Sequence, residues 1–213
     1  MNTRTEIKHI CCDLDGVIID SLDIMKISWE AVVNQFNLNI GFSKYQAFIG
    51  KEFFSILEEL KIKNILWEEI KQTYDQVSSR NINNIKVYEE FFIFLQKCNQ
   101  QNIGLSIFTS KTKKRTAEII KNQLNKINFD KVVTPEDLIG YKPKPSGDGI
   151  KLILKKLKIP KSDFIYIGDT LEDYKAAGDA NVKFYFATWG YGENHNFYSN
   201  KLKLKELDKL LFN

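Results

Sequence analysis

The sequence predicts an α/β protein, in which a doubly wound, Rossmann-like parallel sheet core carries an inserted all-helical cap domain. Two observations predict this class. Short apolar runs alternate with single amphipathic helices along most of the chain, which is typical of βαβ units whose sheet is covered on both faces. A long stretch of helical periodicity without a strand pattern interrupts that alternation after the first strand. The 213 residues, 43% of them hydrophobic, suffice for one such domain with a modest insertion.

The first part of the chain reads as one strand followed only by helices. The run EIKHICC, residues 6–12, is apolar and partly β-branched and predicts a short buried strand. We expect the cap domain to comprise residues 19–84 and the core to comprise residues 1–18 and 85–213. Apolar spacings predict the cap helices at 21–37, 43–48, 52–60 and 64–81.

The remaining sequence returns to single helices between strands. Strands are predicted at 103–108, 131–134, 163–169 and 182–188, and helices at 89–101, 113–126, 146–157 and 171–180. In the C-terminal segment, leucines at 202, 204, 207, 210 and 211 predict one more helix, packed on the core with its lysines in solvent.

The composition argues against several classes of protein. A net charge of +4, from 31 basic and 27 acidic residues, is too mild to indicate nucleic-acid binding. No apolar run could span a bilayer, and the N-terminus lacks the apolar stretch of a secretory signal, so a cytoplasmic location is expected. Three cysteines without metal-type spacing read as buried thiols. The sequence does not reveal the oligomeric state.

Polar side chains follow four of the predicted strands. Asp13 and Asp15 follow the first, and Thr109 and Ser110 follow the strand at 103–108. The remaining two positions are the KPKP segment, with Lys142 and Lys144, and the GDTLED segment, with Asp169 and Asp173. Sites in open parallel sheets lie at the carboxyl ends of the strands, so these groups are expected to converge.

The converging groups predict phosphoryl chemistry. Clustered carboxylates repel one another, and a hard divalent cation relieves that repulsion. Oxygen ligands without a Cys/His cluster favour Mg²⁺ over Zn²⁺, and Mg²⁺ usually recruits a substrate phosphate. A lysine and a hydroxyl at neighbouring strand ends suit the other phosphate oxygens, so positioning and charge neutralisation would supply most of the catalysis.

Four sequence blocks, DLDGV (13–17), Ser110, KPKP (142–145) and GDTLED (168–173), together resemble the haloacid dehalogenase superfamily. They occur in the order of that superfamily, each at a predicted strand end, and the helical insertion resembles its cap. The TWGYG segment at 188–192 is similar to a segment in phosphoglycolate-phosphatase-like members. An acid two residues after the first one distinguishes phosphoryl-transfer members from dehalogenases, and Asp15 is such an acid.

The resemblance implies roles for the two acids of the first block. Asp13 would attack phosphorus and form an aspartyl-phosphate, and Asp15 would be the general acid and then the general base. Gly16 would permit the tight turn that lets backbone amides approach the phosphate.

The other blocks would bind the phosphoryl group and the metal. Ser110 would donate a hydrogen bond to the phosphoryl group, and Lys142 would pair with it and with Asp13, whereas Lys144 is expected at the surface. Thr109 would line the site. The metal ligands would be Asp13, the backbone carbonyl of Asp15, Asp169 and, directly or through water, Asp173.

The substrate is expected to be a small phosphorylated metabolite, and the choice between related activities stays open. A β-phosphoglucomutase-like enzyme shares the DxDGV block and a helical cap, and a catalytically silent binding protein could retain the same fold. In the cap loop at 48–53, Lys51 would favour a substrate with a second anionic group, or would be a solvated lysine at a helix start. The TWGYG segment favours a phosphatase.

Overall fold

A computed structural model describes residues 7–212, and in 211 and 212 only the backbone is described. Eight strands and nine helices lie in this range. The strands are β1 His9–Cys12, β2 Ile19–Asp20, β3 Lys86–Val87, β4 Gly104–Phe108, β5 Lys131–Val133, β6 Phe164–Gly168, β7 Lys183–Ala187 and β8 Lys201–Leu202. The helices are α1 Leu22–Gln35, α2 Phe42–Gln46, α3 Phe53–Glu59, α4 Trp67–Arg80, α5 Glu89–Gln100, α6 Lys113–Gln123, α7 Asp148–Leu157, α8 Leu171–Ala180 and α9 Lys209–Phe212.

Six of the strands form one parallel sheet in the order β5-β4-β1-β6-β7-β8. Strand β1 lies between β4 and β6, and its last residue, Cys12, pairs with Ile107 and with Ile167. This register places the ends of β1, β4 and β6 side by side. The predicted fold class is confirmed, and the residue at which the first strand was expected to begin, Glu6, lies outside the described residues.

Apolar side chains cover both faces of the sheet, as the alternating helices predicted. Cys12 belongs to the cluster on one face together with Phe91 and Phe94, and Cys11 belongs to the cluster on the other with Phe108 and Tyr166. Consecutive strand residues point to opposite faces, which explains why the adjacent cysteines are free thiols in separate clusters.

Helices α1 to α4 form a helical segment with an apolar cluster of its own. Trp29, which is fully buried, stacks on Tyr45 and donates its indole N–H to the Ile40 carbonyl at 2.9 Å. The segment leaves the core through β2 and returns through β3, and these two strands pair antiparallel, with Ile19 opposite Val87. This two-stranded ribbon fixes where the segment sits above the sheet.

The predicted C-terminal helix is wrong. Lys201 and Leu202 form the edge strand β8, a 3₁₀ turn follows at Leu204–Glu206, and α9 is short. The sequence KLKLK alternates with period two, and Leu202 is buried where β8 pairs with β7. Edge pairing of the sheet therefore outweighed the helical spacing of the leucines. Within residues 7–212, no helix is long and apolar enough to cross a membrane.

Candidate active site

Three aspartates meet at the carboxyl ends of β1 and β6. Asp13 directly follows β1, Asp169 directly follows β6, and Asp173 lies in the first turn of α8. All three are buried, and each offers a carboxylate oxygen within 4.8 Å of the others. Adjacent parallel strands thus bring together groups that are more than 150 positions apart in the chain.

Lys144, not Lys142, is the lysine of this cluster. The Nζ of Lys144 lies 2.8 Å from Asp13 Oδ1 and 2.6 Å from Asp173 Oδ1, and its side chain is 1% exposed. Its ammonium also lies 5.0 Å from the centre of the Phe108 ring. Lys142 is exposed, and its backbone N–H donates to Asp148. The expectation that Lys142 pairs with Asp13 and that Lys144 is at the surface is wrong, because the turn aims the second lysine of KPKP inward.

Burial and mutual repulsion shift the protonation equilibria of this cluster. Burial raises the pKa of Asp13 to about 7, against the opposing attraction of Lys144. Burial also raises the pKa of Asp169 well above its usual value, and the charges of Asp173 and Asp13 add to that shift. Burial alone would lower the pKa of Lys144, but the two carboxylates beside it outweigh burial and raise it. A cation added near Asp169 would therefore relieve a strong electrostatic cost.

Asp169 is the carboxylate with an unused oxygen. Its Oδ2 accepts the backbone N–H of Tyr191 at 2.6 Å, whereas its buried Oδ1 has no hydrogen-bond partner among the described residues. A Cβ at Gly16 or at Gly190 would overlap the Asp169 carboxylate, so both positions require glycine for this close approach. An unpaired buried oxygen beside two further carboxylates fits a hard divalent cation such as Mg²⁺.

The carboxylate of Asp173 is already saturated. Its Oδ1 accepts from Lys144 and from the Tyr166 hydroxyl at 2.6 Å, and its Oδ2 accepts from the Thr170 N–H and hydroxyl. Burial would raise the pKa of Asp173, but Lys144 and these hydrogen bonds outweigh it and hold the pKa below the usual value. The arrangement suits a residue that positions Lys144 better than one that ligates a metal directly.

Asp15 lies on the other side of Asp13, facing a cavity. Its Oδ1 lies 3.1 Å from the Nζ of Lys111 and accepts a hydrogen bond from the Ser21 hydroxyl. Gly16, with a φ of 80°, turns the chain directly after it. The two acids of the opening motif therefore have separate surroundings: Asp13 joins the buried cluster, and Asp15 is held by Lys111 and Ser21.

The hydroxyl residues after β4 also reach the cavity. Ser110 donates its hydroxyl to the Gly50 carbonyl of the helical segment at 2.6 Å, and the buried Thr109 accepts the Lys111 N–H at 3.1 Å. The helix that follows begins at Lys113 with Thr112 as its N-cap. Ser110 is therefore not the N-cap residue, and its hydroxyl is free of that role.

A cavity of about 90 Å³ lies between the sheet edge and the helical segment. The core contributes Asp13, Asp15, Thr109 and Ser110 to its wall, and the helical segment contributes Lys51. Lys51 pairs with Glu59 and lies 5.4 Å from the centre of the Phe48 ring. The predicted residues Asp13, Asp15, Ser110, Thr109 and Lys51 thus share one cavity.

Sequence reasoning missed Lys111, Lys144 and Tyr191. Each is separated from the acid that it contacts by at least 22 positions, so neither periodicity nor local spacing could assign the contact. The repeated KP of KPKP offered two candidate lysines, Lys142 and Lys144, and local sequence could not decide between them. The two glycines of TWGYG were the available indication that the backbone there packs closely against another group. Tyr191 also accepts the Ser21 N–H through its hydroxyl, at 2.6 Å, and so connects Asp169 to the start of α1.

Comparisons with known proteins agree with this geometry. Residues 10–187 match the sequence model of the family described as haloacid dehalogenase-like hydrolase. The chain is 25% identical to pyrophosphatase PpaX of Oceanobacillus iheyensis, over 86% of this chain and 84% of that protein. It is 24% identical to the phosphoglycolate phosphatase of Pectobacterium atrosepticum, over 99% and 91%. A haloacid dehalogenase-like hydrolase structure from Streptococcus pneumoniae superposes with a TM-score of 0.82 at 22% identity, covering 97% and 98%.

Proposed function

Because the chain belongs to the haloacid dehalogenase-like hydrolase family, we propose that it is a Mg²⁺-dependent phosphatase that acts on a small phosphorylated metabolite through an aspartyl-phosphate. The observation that carries the proposal is the buried ammonium of Lys144 between Asp13 and Asp173, beside the unpaired Oδ1 of Asp169. The Lys144 ammonium offsets part of the negative charge of the three aspartates, and the unpaired oxygen of Asp169 would still bind a cation beside a substrate phosphate. The expectation that the chain is a hydrolytic enzyme is confirmed by its family.

In the first half-reaction, a carboxylate oxygen of Asp13 attacks phosphorus and the bond to the ester oxygen breaks. Asp15 gives its proton to the departing oxygen, so the product leaves as an alcohol. Lys144 touches Asp13 and is placed to neutralise negative charge on the phosphoryl oxygens. The Ser110 hydroxyl, which also lines the cavity, would donate to those oxygens by turning away from the Gly50 carbonyl.

In the second half-reaction, water attacks the phosphorus of the aspartyl-phosphate and the acyl-phosphate bond breaks. Asp15, now a carboxylate, takes the proton of that water. Inorganic phosphate leaves, and Asp13 is regenerated as a carboxylate. Lys111, 3.1 Å from Asp15, is placed to orient that carboxylate.

Asp13, Asp169 and the backbone carbonyl of Asp15 would hold Mg²⁺. Asp173 would contribute indirectly, by accepting a hydrogen bond from Lys144 and so positioning it. Bound Mg²⁺ would neutralise phosphoryl charge and lower the cost of bringing a phosphate to these carboxylates. Because Gly16 and Gly190 pack against Asp169, that carboxylate is held in place before the ion binds.

The helical segment, residues 19–84, would act as the cap. Its Gly50 carbonyl accepts from Ser110, and core Arg115 donates to the Asp75 carbonyl and to the Ser79 hydroxyl of α4 at 3.0 and 2.6 Å. These contacts join the helical segment to the core beside the acids, where the segment would limit the access of bulk water. The names of the relatives, pyrophosphatase and phosphoglycolate phosphatase, support a small phosphorylated substrate. The free, buried thiols suit the reducing cytoplasm, where we place the enzyme.

The test is hydrolysis of 4-nitrophenyl phosphate by the purified chain, with Mg²⁺ and with excess chelator. We expect release of nitrophenol that requires Mg²⁺ and that falls to background in Asp13→Asn, because the amide cannot attack phosphorus. Asp23→Asn, the same change at an exposed position of α1, should retain activity. Turnover that survives Asp13→Asn or that needs no divalent cation would overturn the mechanism. Isomerisation of a phosphosugar without phosphate release would assign the mutase instead.

A further inference from the structure

The helical segment lines one wall of the cavity, mostly with apolar and aromatic side chains and also with Lys51, Lys71, Asp75 and Ser78. The apolar and aromatic side chains also belong to the apolar cluster of that segment. They are Met25, Tyr45, Ile49, Phe53, Ile56 and Tyr74. A leaving group that projects away from Asp13 must therefore lie against this wall, within a cavity of about 90 Å³. The volume favours a compact group.

Among the described residues, each cation that lines the cavity already has an acid partner. From the helical segment, Lys51 pairs with Glu59, and Lys71 lies 2.5 Å from Asp75. From the core, Lys111 pairs with Asp15 at 3.1 Å and Arg115 pairs with Glu118 at 2.7 Å. Each cation that could receive a second anion thus already lies beside an acid of the protein.

Two tyrosine hydroxyls supply uncharged polar contacts on this wall. The hydroxyls of Tyr45 and Tyr74 lie 3.2 Å apart, and burial raises the pKa of both, so they stay protonated. Their mutual hydrogen bond uses one of their two protons, which leaves the other proton available to a ligand. A hydroxyl or carbonyl oxygen is a sufficient acceptor, and no charge is needed.

We propose that the leaving group of the substrate is compact and uncharged, and that it carries a hydroxyl or carbonyl oxygen towards Tyr45 and Tyr74. The substrate would thus be a phosphomonoester of a small neutral alcohol, in contrast to one bearing a second carboxylate or phosphate. This inference rests on the proposed phosphatase function. The proposal differs from the expectation that Lys51 binds a second anionic group of the substrate, because Lys51 already forms an ion pair with Glu59.

A charged leaving group would meet two costs in this cavity. It would lose hydration against aromatic side chains, and it would approach Asp75, which lines the same wall. It could gain a cation only by competing with the acid that already pairs with that cation. A neutral hydroxyl meets neither cost, so the difference between the two kinds of substrate should appear in kcat/KM.

The experiment compares glycerol 3-phosphate with 3-phosphoglycerate, which differ in a terminal hydroxymethyl against a carboxylate. Values of kcat/KM are measured by phosphate release, and competitive inhibition constants are measured against 4-nitrophenyl phosphate. We expect the neutral member to be preferred by about tenfold, which corresponds to about 1.4 kcal/mol, because a charged leaving group loses hydration in this cavity. Pyrophosphate should rank with the charged member.

Two variants test the cause of that preference. Glu59→Gln frees Lys51 and should shift the ratio towards 3-phosphoglycerate about fivefold, which is the scale of a partly exposed ion pair. Glu58→Gln makes the same charge change at an exposed neighbouring position and should leave the ratio unchanged.

The outcomes test the substrate class separately from the phosphatase function. Equal use of both compounds, a preference for 3-phosphoglycerate, or failure of glycerol 3-phosphate to compete with 4-nitrophenyl phosphate would overturn the substrate class. An unchanged ratio in Glu59→Gln would overturn the role of the Lys51–Glu59 pair. Failure of the phosphatase proposal is recognised separately, as absence of Asp13-dependent hydrolysis of 4-nitrophenyl phosphate.

Discussion

Replacing Lys144 with methionine removes the ammonium group that lies between Asp13 and Asp173 while keeping most of the volume of the side chain. The ammonium of Lys144 lies 5.0 Å from the centre of the Phe108 ring and 5.6 Å from that of Tyr166, and the thioether of methionine packs favourably beside aromatic rings. The change therefore isolates the contribution of charge. It also tests the correction that places Lys144, and not Lys142, in the site.

The expected loss follows from burial. The side chains of Lys144, Asp13 and Asp173 are 1%, 6% and 0% exposed, so removing the ammonium leaves buried carboxylates without a counter-charge. Breaking a buried ion pair in this way costs about 3–5 kcal/mol of the free energy of unfolding. Activity should fall by about a hundredfold or more, since a fixed positive charge beside the phosphoryl group is lost.

The assay is urea unfolding with excess chelator, at pH 8 and at pH 5. Without Lys144 the pKa of Asp13 rises further above its unfolded value and the pKa of Asp173 loses the cation that holds it low, so the folded variant binds more protons than the folded parent. Its stability relative to the parent should therefore recover as the pH falls. Lys142→Met is the matched control, and its unfolding free energy should change by less than about 0.5 kcal/mol.

Two results would refute this reasoning. Equal losses of stability in Lys142→Met and Lys144→Met would show that the burial of Lys144 makes no additional contribution to the free energy of unfolding. A deficit in Lys144→Met that does not change between pH 8 and pH 5 would show that the loss does not come from uncompensated carboxylates.

Two further predictions concern residues outside the catalytic acids. Burial lowers the pKa of His9 to about 4 from an unfolded value near 6.5, so the folded state binds fewer protons in this window and loses about 2 kcal/mol of unfolding free energy between pH 7 and pH 5. In urea unfolding, His9→Gln should not show this loss of unfolding free energy between pH 7 and pH 5. If the unfolding free energy of the variant depends on pH as that of the parent does, His9 is not its source. Gly190→Ala should weaken Mg²⁺ binding measured by calorimetry, because its Cβ overlaps Asp169. Gly178→Ala, with open space around the added Cβ, should bind Mg²⁺ like the parent.

Much of the fold could be predicted because its signals are local. The buried strands β1, β4 and β6 are apolar runs, and the helices between them show helical periodicity, so element types and the parallel sheet followed from neighbouring residues. The prediction for the C-terminal segment was wrong because its local signals conflict. Its leucines fit a helix and its alternation fits a strand, and only the unpaired edge of β7 decides between them.

The sequence by itself determined that acids stand at the ends of β1 and β6, since strand-end positions and motif order are properties of the chain. The tertiary structure decided which groups touch. The turn after β5 directs Lys144 inward, the GYG segment presses against Asp169, and Glu59 neutralises Lys51 at the cavity. Such contacts join residues distant in sequence or aimed by a loop, and their energies depend on burial and on the direction of single side chains, which no local pattern encodes.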